Sequence, residues 1–100
     1  MAIDRCLWIE ELAPDYADVT YNLGRLYLAA NRPAEALPYL RRAVEIDPYA
    51  VDRRVALASA LHDVGQNDEA MRQLDRVQRM QPDHPEAGTL RQRIQQERAP

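Results

Sequence analysis

A 34-residue period runs through the middle of this chain. Laid over one another without gaps, residues 17–50 and 51–84 match at Asp18/Asp52, Leu23/Leu57, Glu35/Glu69, Ala36/Ala70, Leu40/Leu74, Arg42/Arg76 and Pro48/Pro82. Gly24/Ala58, Tyr27/Leu61, Asn31/Gly65, Ala43/Val77 and Ile46/Met80 match in kind. Small, large and turn residues keep register together, which a chance alignment does not achieve. A unit of this length cannot bury its apolar face alone, so the period constrains the chain to a stack of like units.

Each unit reads as two helices. Leu23, Leu26, Tyr27 and Ala30 recur at helical spacing, as do Leu57, Leu61 and Val64. Asn31 and Gly65 tolerate the left-handed conformation that closes a helix. A second helix follows, with Ala36, Leu37, Leu40, Ala43, Val44 and Ile46, or Ala70, Met71, Leu74, Val77 and Met80, expected inward. Pro48 and Pro82 stop it, because proline lacks a donor and biases the preceding residue away from helix. Pro33 suits a first helical position. Pro38, a turn further in, is expected to remove one backbone bond and bend the helix slightly. Gly24 and Ala58 on the first helices, with Ala36 and Ala70 on the second, let paired helices approach closely; a leucine at either kind of site would cost about 1–3 kcal/mol through overpacking.

The pattern Leu23-Gly24-x-x-Tyr27, followed by Ala36, Ala43 and Pro48, resembles the tetratricopeptide repeat. The second repeat is more degenerate, with Ala58 for the glycine and Leu61 for the tyrosine, and Thr20 and Arg54 stand where a bulky aromatic is often found. The resemblance implies an all-α, right-handed helical-hairpin solenoid acting as a protein-interaction scaffold. Counting back from Pro14 puts Ala2, Cys6, Ile9 and Leu12 on the core face of a second helix whose own first helix is missing. The expected organisation is therefore residues 1–13 as half of an incomplete repeat, repeats at 17–50 and 51–84, and a capping helix at 85–98. That makes six antiparallel helices. Leu90 and Ile94 are the strong apolar residues of the last segment, and its remaining polar surface suits an end cap.

The N-terminal segment also carries Ile3, Leu7 and Trp8, which would make its helix apolar nearly all round and in need of burial on a second side. Either the chain cuts a longer array mid-repeat, or these three residues form a self-association surface of a homodimer. Asp4, Arg5, Glu10 and Glu11 interrupt any apolar run, so no targeting signal is read here and the expected location is cytoplasmic, an inference that lapses if the chain is a fragment.

Composition narrows the chemistry. With 46% hydrophobic and 29% charged residues the 100-residue chain is globular rather than disordered. No apolar stretch approaches the ~20 residues that span a bilayer. A net charge of −3 argues against nucleic acid as a partner. The single Cys6 excludes a disulfide framework, and His62 and His84 lie in different elements, so no metal site or other cofactor is expected. All 13 basic residues are arginine, which we read as the mark of a GC-rich bacterial genome. Ser59, His62 and Asp63 are nucleophile, base and acid types on one helix. A serine in mid-helix, however, has its neighbouring N–H groups already bonded and no oxyanion hole. The expectation is no enzyme. Arg41, Arg42, Arg72, Arg76 and Arg79 are interleaved with Glu45, Asp68, Glu69 and Asp75 on second helices, as on a solvated outer face.

In stacks of the kind this chain resembles, first helices line a concave groove that receives a peptide or helix. By position that groove comprises Asp18, Tyr21, Asn22, Arg25 and Leu28, then Asp52, Val55, Ser59, His62 and Asp63, continued by Glu86, Thr89 and Arg93. Tyr21, Arg25 and His62 stand out, since aromatic and Arg side chains anchor interfaces. Some relatives hold chaperone C-terminal carboxylates through a clamp of Lys, Asn and Arg. Here only Asn22 matches, and Tyr21, Asp52 and Glu86 occupy positions that call for cations. The groove is thus expected to take a mildly basic or amphipathic protein segment. The alternative role is a structural spacer or assembly segment of a larger repeat protein, acting through end-to-end or dimer contacts of the N-terminal helix.

Overall fold

The computed structural model describes residues 17–98, which form five helices: α1 (Ala17–Ala29), α2 (Pro33–Ile46), α3 (Val51–Asp63), α4 (Asn67–Met80) and α5 (Pro85–Arg98). The sixth expected helix, over residues 1–13, lies outside the described residues, as do Cys6 and the proposed self-association residues Ile3, Leu7 and Trp8.

The 34-residue period reappears in the backbone hydrogen bonds. Asn31 and Gly65 both take positive φ, 60° and 86°. The next amide in each case reaches back over five residues, Arg32 N to Tyr27 O at 2.9 Å and Gln66 N to Leu61 O at 2.8 Å. Asn31 N to Leu28 O and Gly65 N to His62 O complete the paired closure that a left-handed residue allows at a helix end. The second helices end alike, with Asp47 N on Ala43 O and Gln81 N on Val77 O. Pro48 and Pro82 then prevent continuation. Helix α2 runs through Pro38 to Ile46.

Short links make α1/α2 and α3/α4 antiparallel hairpins, and α3 and α5 also pack on the second helix before them. The seam is built from Leu23, Ala36, Leu40, Ala43, Leu57, Ala58, Leu61, Ala70, Leu74 and Val77, all buried. Tyr27 stacks on Tyr39 of α2, ring centroids 5.6 Å apart. Ile94 and Leu90 seal the last interface from α5. Leu26, Leu37, Val44, Val64 and Met71 are only half-buried. Ile46 and Met80, expected inward, are instead 36% and 38% exposed. Each is the last residue of its helix, where the chain turns away and the next helix no longer covers it. Ala30, just past the end of α1, is exposed for the same reason.

Thr20 and Arg54, in place of a bulky aromatic, are both buried. Arg54 is held by Gln73 Oε1 at 2.7 Å and the Pro48 carbonyl at 3.0 Å, so a long cation fills space that an aromatic ring would take.

Candidate functional site

Two faces follow from the packing. The first helices touch one another, α1 against α3 and α3 against α5, whereas the backbones of α2 and α4 do not meet. The inner face is therefore made by α1, α3 and α5. On the outer side, α2 and α4 are joined by long side chains, with Arg41 donating two parallel bonds to the Glu69 carboxylate. That hydrogen bonding, with the charges of Arg41 and then Arg72 acting in the same sense, holds the Glu69 carboxyl below its ordinary value against the opposing effect of burial. It raises Arg41 in turn. Arg91 pairs with Asp75 to join α5 to α4.

The inner face has two halves. Between α3 and α5 lies a cleft of about 340 Å³, lined by Val55, Ser59, Pro85, Glu86, Thr89, Leu90 and Arg93. Val55, Ser59, Glu86, Thr89 and Arg93 were expected in the groove, and here they surround one space. Val55 is buried and forms an apolar wall with Leu90, while Glu86 and Arg93 are exposed at its margins. The other half, between α1 and α3, is closed upon itself. Arg53 bonds Asp18 Oδ1 at 2.7 Å, stands 3.6 Å from Asp47, and lies over the Tyr21 ring at 5.0 Å. Arg25 also lies over that ring, at 5.5 Å. Cations over an aromatic face are attracted by its quadrupole.

The remaining candidates are dispersed. Asn22 and Arg25 line a shallow hollow with Leu26 and Ala29 on α1. Leu28 packs against the core. Asp52 is exposed and faces His84, and Asp63 is exposed. His62 directs Nδ1 to Asn67 Oδ1 at 2.9 Å and Nε2 to Glu97 Oε2 at 3.4 Å, so neither ring nitrogen is available to activate Ser59. The partners of His62 are thus Asn67 and Glu97 rather than Ser59 or Asp63. Among the described residues no group of His, Cys, Asp and Glu side chains is placed to hold a metal ion, and no helix is long and apolar enough to cross a membrane.

Two residues were invisible to sequence reasoning. Arg53 organises half the inner face, yet its counterpart one period earlier is Val19, so the repeat offered no hint. His84 is buried and accepts the Ala87 amide on Nδ1 at 3.2 Å, capping α5. A serine or aspartate before Pro85 would have signalled that cap; histidine did not.

The tetratricopeptide repeat family's sequence model matches residues 27–94. Comparison with curated proteins finds no match. Among solved structures the chain is similar to YrrB, described as a tetratricopeptide repeat protein with an unusual peptide-binding site, at 31% identity and a TM-score of 0.79 over 81% of this chain and 42% of that one. It superposes on a MamA mutant at 22% identity and a TM-score of 0.86, over 95% of this chain and 55% of that one. It also superposes on the first tetratricopeptide domain of Spaghetti (RPAP3), solved with an HSP90 peptide, SRMEEVD, at 21% identity and a TM-score of 0.88, over 96% and 76%. The chain thus spans about half the length of YrrB and MamA. The matched segment covers both closures, at Asn31 and Gly65, and the buried Ala36, Ala58 and Ala70 between paired helices, and on this ground the chain belongs to the tetratricopeptide repeat family.

Proposed function

We propose that this chain is a protein–protein interaction module that seats an extended or helical segment of a partner on the face made by α1, α3 and α5. The observation that carries the reading is the cleft between α3 and α5, with its apolar wall of Val55 and Leu90 and its polar edge of Ser59, Thr89, Glu86 and Arg93. An amphipathic segment would bury apolar side chains against the wall and hydrogen-bond along the edge, the usual arrangement for a helix or strand in a groove. Family membership and the peptide-binding described for YrrB and Spaghetti support the same role.

The partner's charge is part of the proposal. Tyr21, Asp52 and Glu86 stand where a carboxylate clamp needs cations, and neither Asp63 nor Glu86 forms an ion pair among the described residues. A mildly basic or amphipathic segment fits better than a free carboxylate. Arg53 modifies the expectation, because it already neutralises Asp18. The preference is accordingly centred on the α3/α5 half, with Tyr21, Asn22, Arg25, Leu28, Asp52 and His62 as flanking surface. The reading assigns the chain no catalytic step.

The test is an anisotropy titration of a labelled leucine–lysine amphipathic peptide with the full chain. Ser59→Arg together with Thr89→Arg fills and charges the cleft, and is expected to weaken binding about tenfold or more with helicity unchanged. Unchanged affinity, or tighter binding of a leucine–glutamate peptide at this face, overturns the reading.

A further inference from the structure

The outer side of the stack holds a concentration of positive charge that the groove reading does not use. Two adjoining clefts open there, of about 290 and 250 Å³, and they share Pro48, Arg54 and Arg76. The first is also lined by Val44, Glu45 and Gln73, the second by Tyr49, Arg79 and Met80.

Arg54 is the anomaly. It is 5% exposed, yet its two acceptors, Gln73 and the Pro48 carbonyl, are both neutral, and its buried Nε has no acceptor. Burial lowers Arg54 from its ordinary value, and the charge that bears on it, a second cation, Arg76, acts in the same sense. A buried charge without a counter-charge is costly, and two cations facing one space make it more so. Four other arginines have carboxylates: Arg32 with Glu35, Arg41 with Glu69, Arg53 with Asp18 and Arg91 with Asp75. Arg76 and Arg79 have none among the described residues, and Glu45, which also lines the first cleft, pairs with neither.

The same place is apolar. Among the described residues Ile46, Tyr49 and Met80 are the exposed large hydrophobic ones, and two of them line the second cleft, with Tyr49 83% exposed. Planar guanidinium groups accept carboxylates in two-point fashion, and tyrosine beside arginine is the composition of an interface anchor. We propose that Arg54, Arg76 and Arg79, with Tyr49 and Met80, form a second docking site, on the face opposite the groove, for an acidic segment of a partner protein that carries an apolar side chain next to its carboxylates. The exposed apolar wall favours such a peptide over a bare inorganic anion, which would leave Tyr49 and Met80 uncovered. The site is independent of the α3/α5 cleft, so either can fail alone.

The experiment titrates the full chain with a labelled peptide alternating glutamate and leucine, with a glutamate–serine peptide and inorganic phosphate as competitors. Binding is expected to weaken with rising salt and to fall about tenfold or more in Arg76→Glu with Arg79→Glu, both exposed positions that leave the core intact. It is expected to be unaffected by Ser59→Arg with Thr89→Arg, and Tyr49→Ala is expected to abolish the advantage of leucine over serine. Affinity unchanged by the double charge reversal, or lost on filling the inner cleft, overturns the proposal. So does displacement by phosphate with no gain from the apolar residues.

Discussion

Gly24 and Leu40 are in such close contact that a methyl group on Gly24 would lie 2.6 Å from Leu40 Cδ2 and 2.8 Å from Cγ. Leu40 is fully buried and has nowhere to go. Gly24→Ala is therefore expected to destabilise the chain by about 1–3 kcal/mol, less up to ~1 kcal/mol regained from helix propensity. Gly88 in α5 has no atom within 4 Å of where its Cβ would stand. Gly88→Ala should stabilise by about 0.5–1 kcal/mol. Urea midpoints of the two variants on opposite sides of the wild type would bear this out; movement in the same direction would not.

Gly65 sits at φ 86° in open space, so a side chain there meets strain rather than a clash. Gly65→Ala is expected to cost about 1–2 kcal/mol, and Gly65→Asn less, since asparagine occupies the same position in the first repeat at Asn31. Thermal unfolding followed by circular dichroism should rank the three chains glycine, asparagine, alanine.

The Arg41–Glu69 pair makes stability pH-dependent in a stated direction. Because the folded Glu69 carboxyl titrates below its unfolded value, its contribution is complete above the ordinary carboxylate pKa of ~4.3. It is lost as pH falls through the lowered folded value. Both side chains are partly open to water, 40% and 24% exposed, which limits the pair to about 1 kcal/mol or less. Glu69→Gln should be less stable than wild type at neutral pH and equal to it in strong acid. A difference that grows toward acid would contradict the assignment.

His84 closes the start of α5 through Ala87 N. His84→Ala is expected to cost about 1 kcal/mol, the usual loss for an uncapped first turn. Hydrogen exchange should localise the loosening to the first turn of α5, leaving α1 and α2 protected.

The helical pairs were legible because each depends on near neighbours in the chain. Tyr27, Asn31 and Arg32 lie within one helix end, and the same is true of Leu61, Gly65 and Gln66. The close approach of the paired helices at Gly24 was legible as well, through the small residues that recur with the period, but that Leu40 is the side chain it meets was not. The inner groove was legible only as a list of positions. Which candidates share one space depends on how α5 sets against α3, and that arrangement gathers Val55, Ser59 and Thr89 while sending His62 to Asn67 and Glu97. Arg53 and Arg54 carry the sharpest contrast. Adjacent in the chain, they leave α3 toward different neighbours, one stacking on Tyr21 across the inner face and the other buried against Gln73 and Pro48. Local periodicity determines that helices form and pair, since its interactions close within a few turns. The partners of a long cationic side chain lie up to 35 residues away, so only the packed stack decides whether that charge is neutralised, stacked or left waiting for an anion.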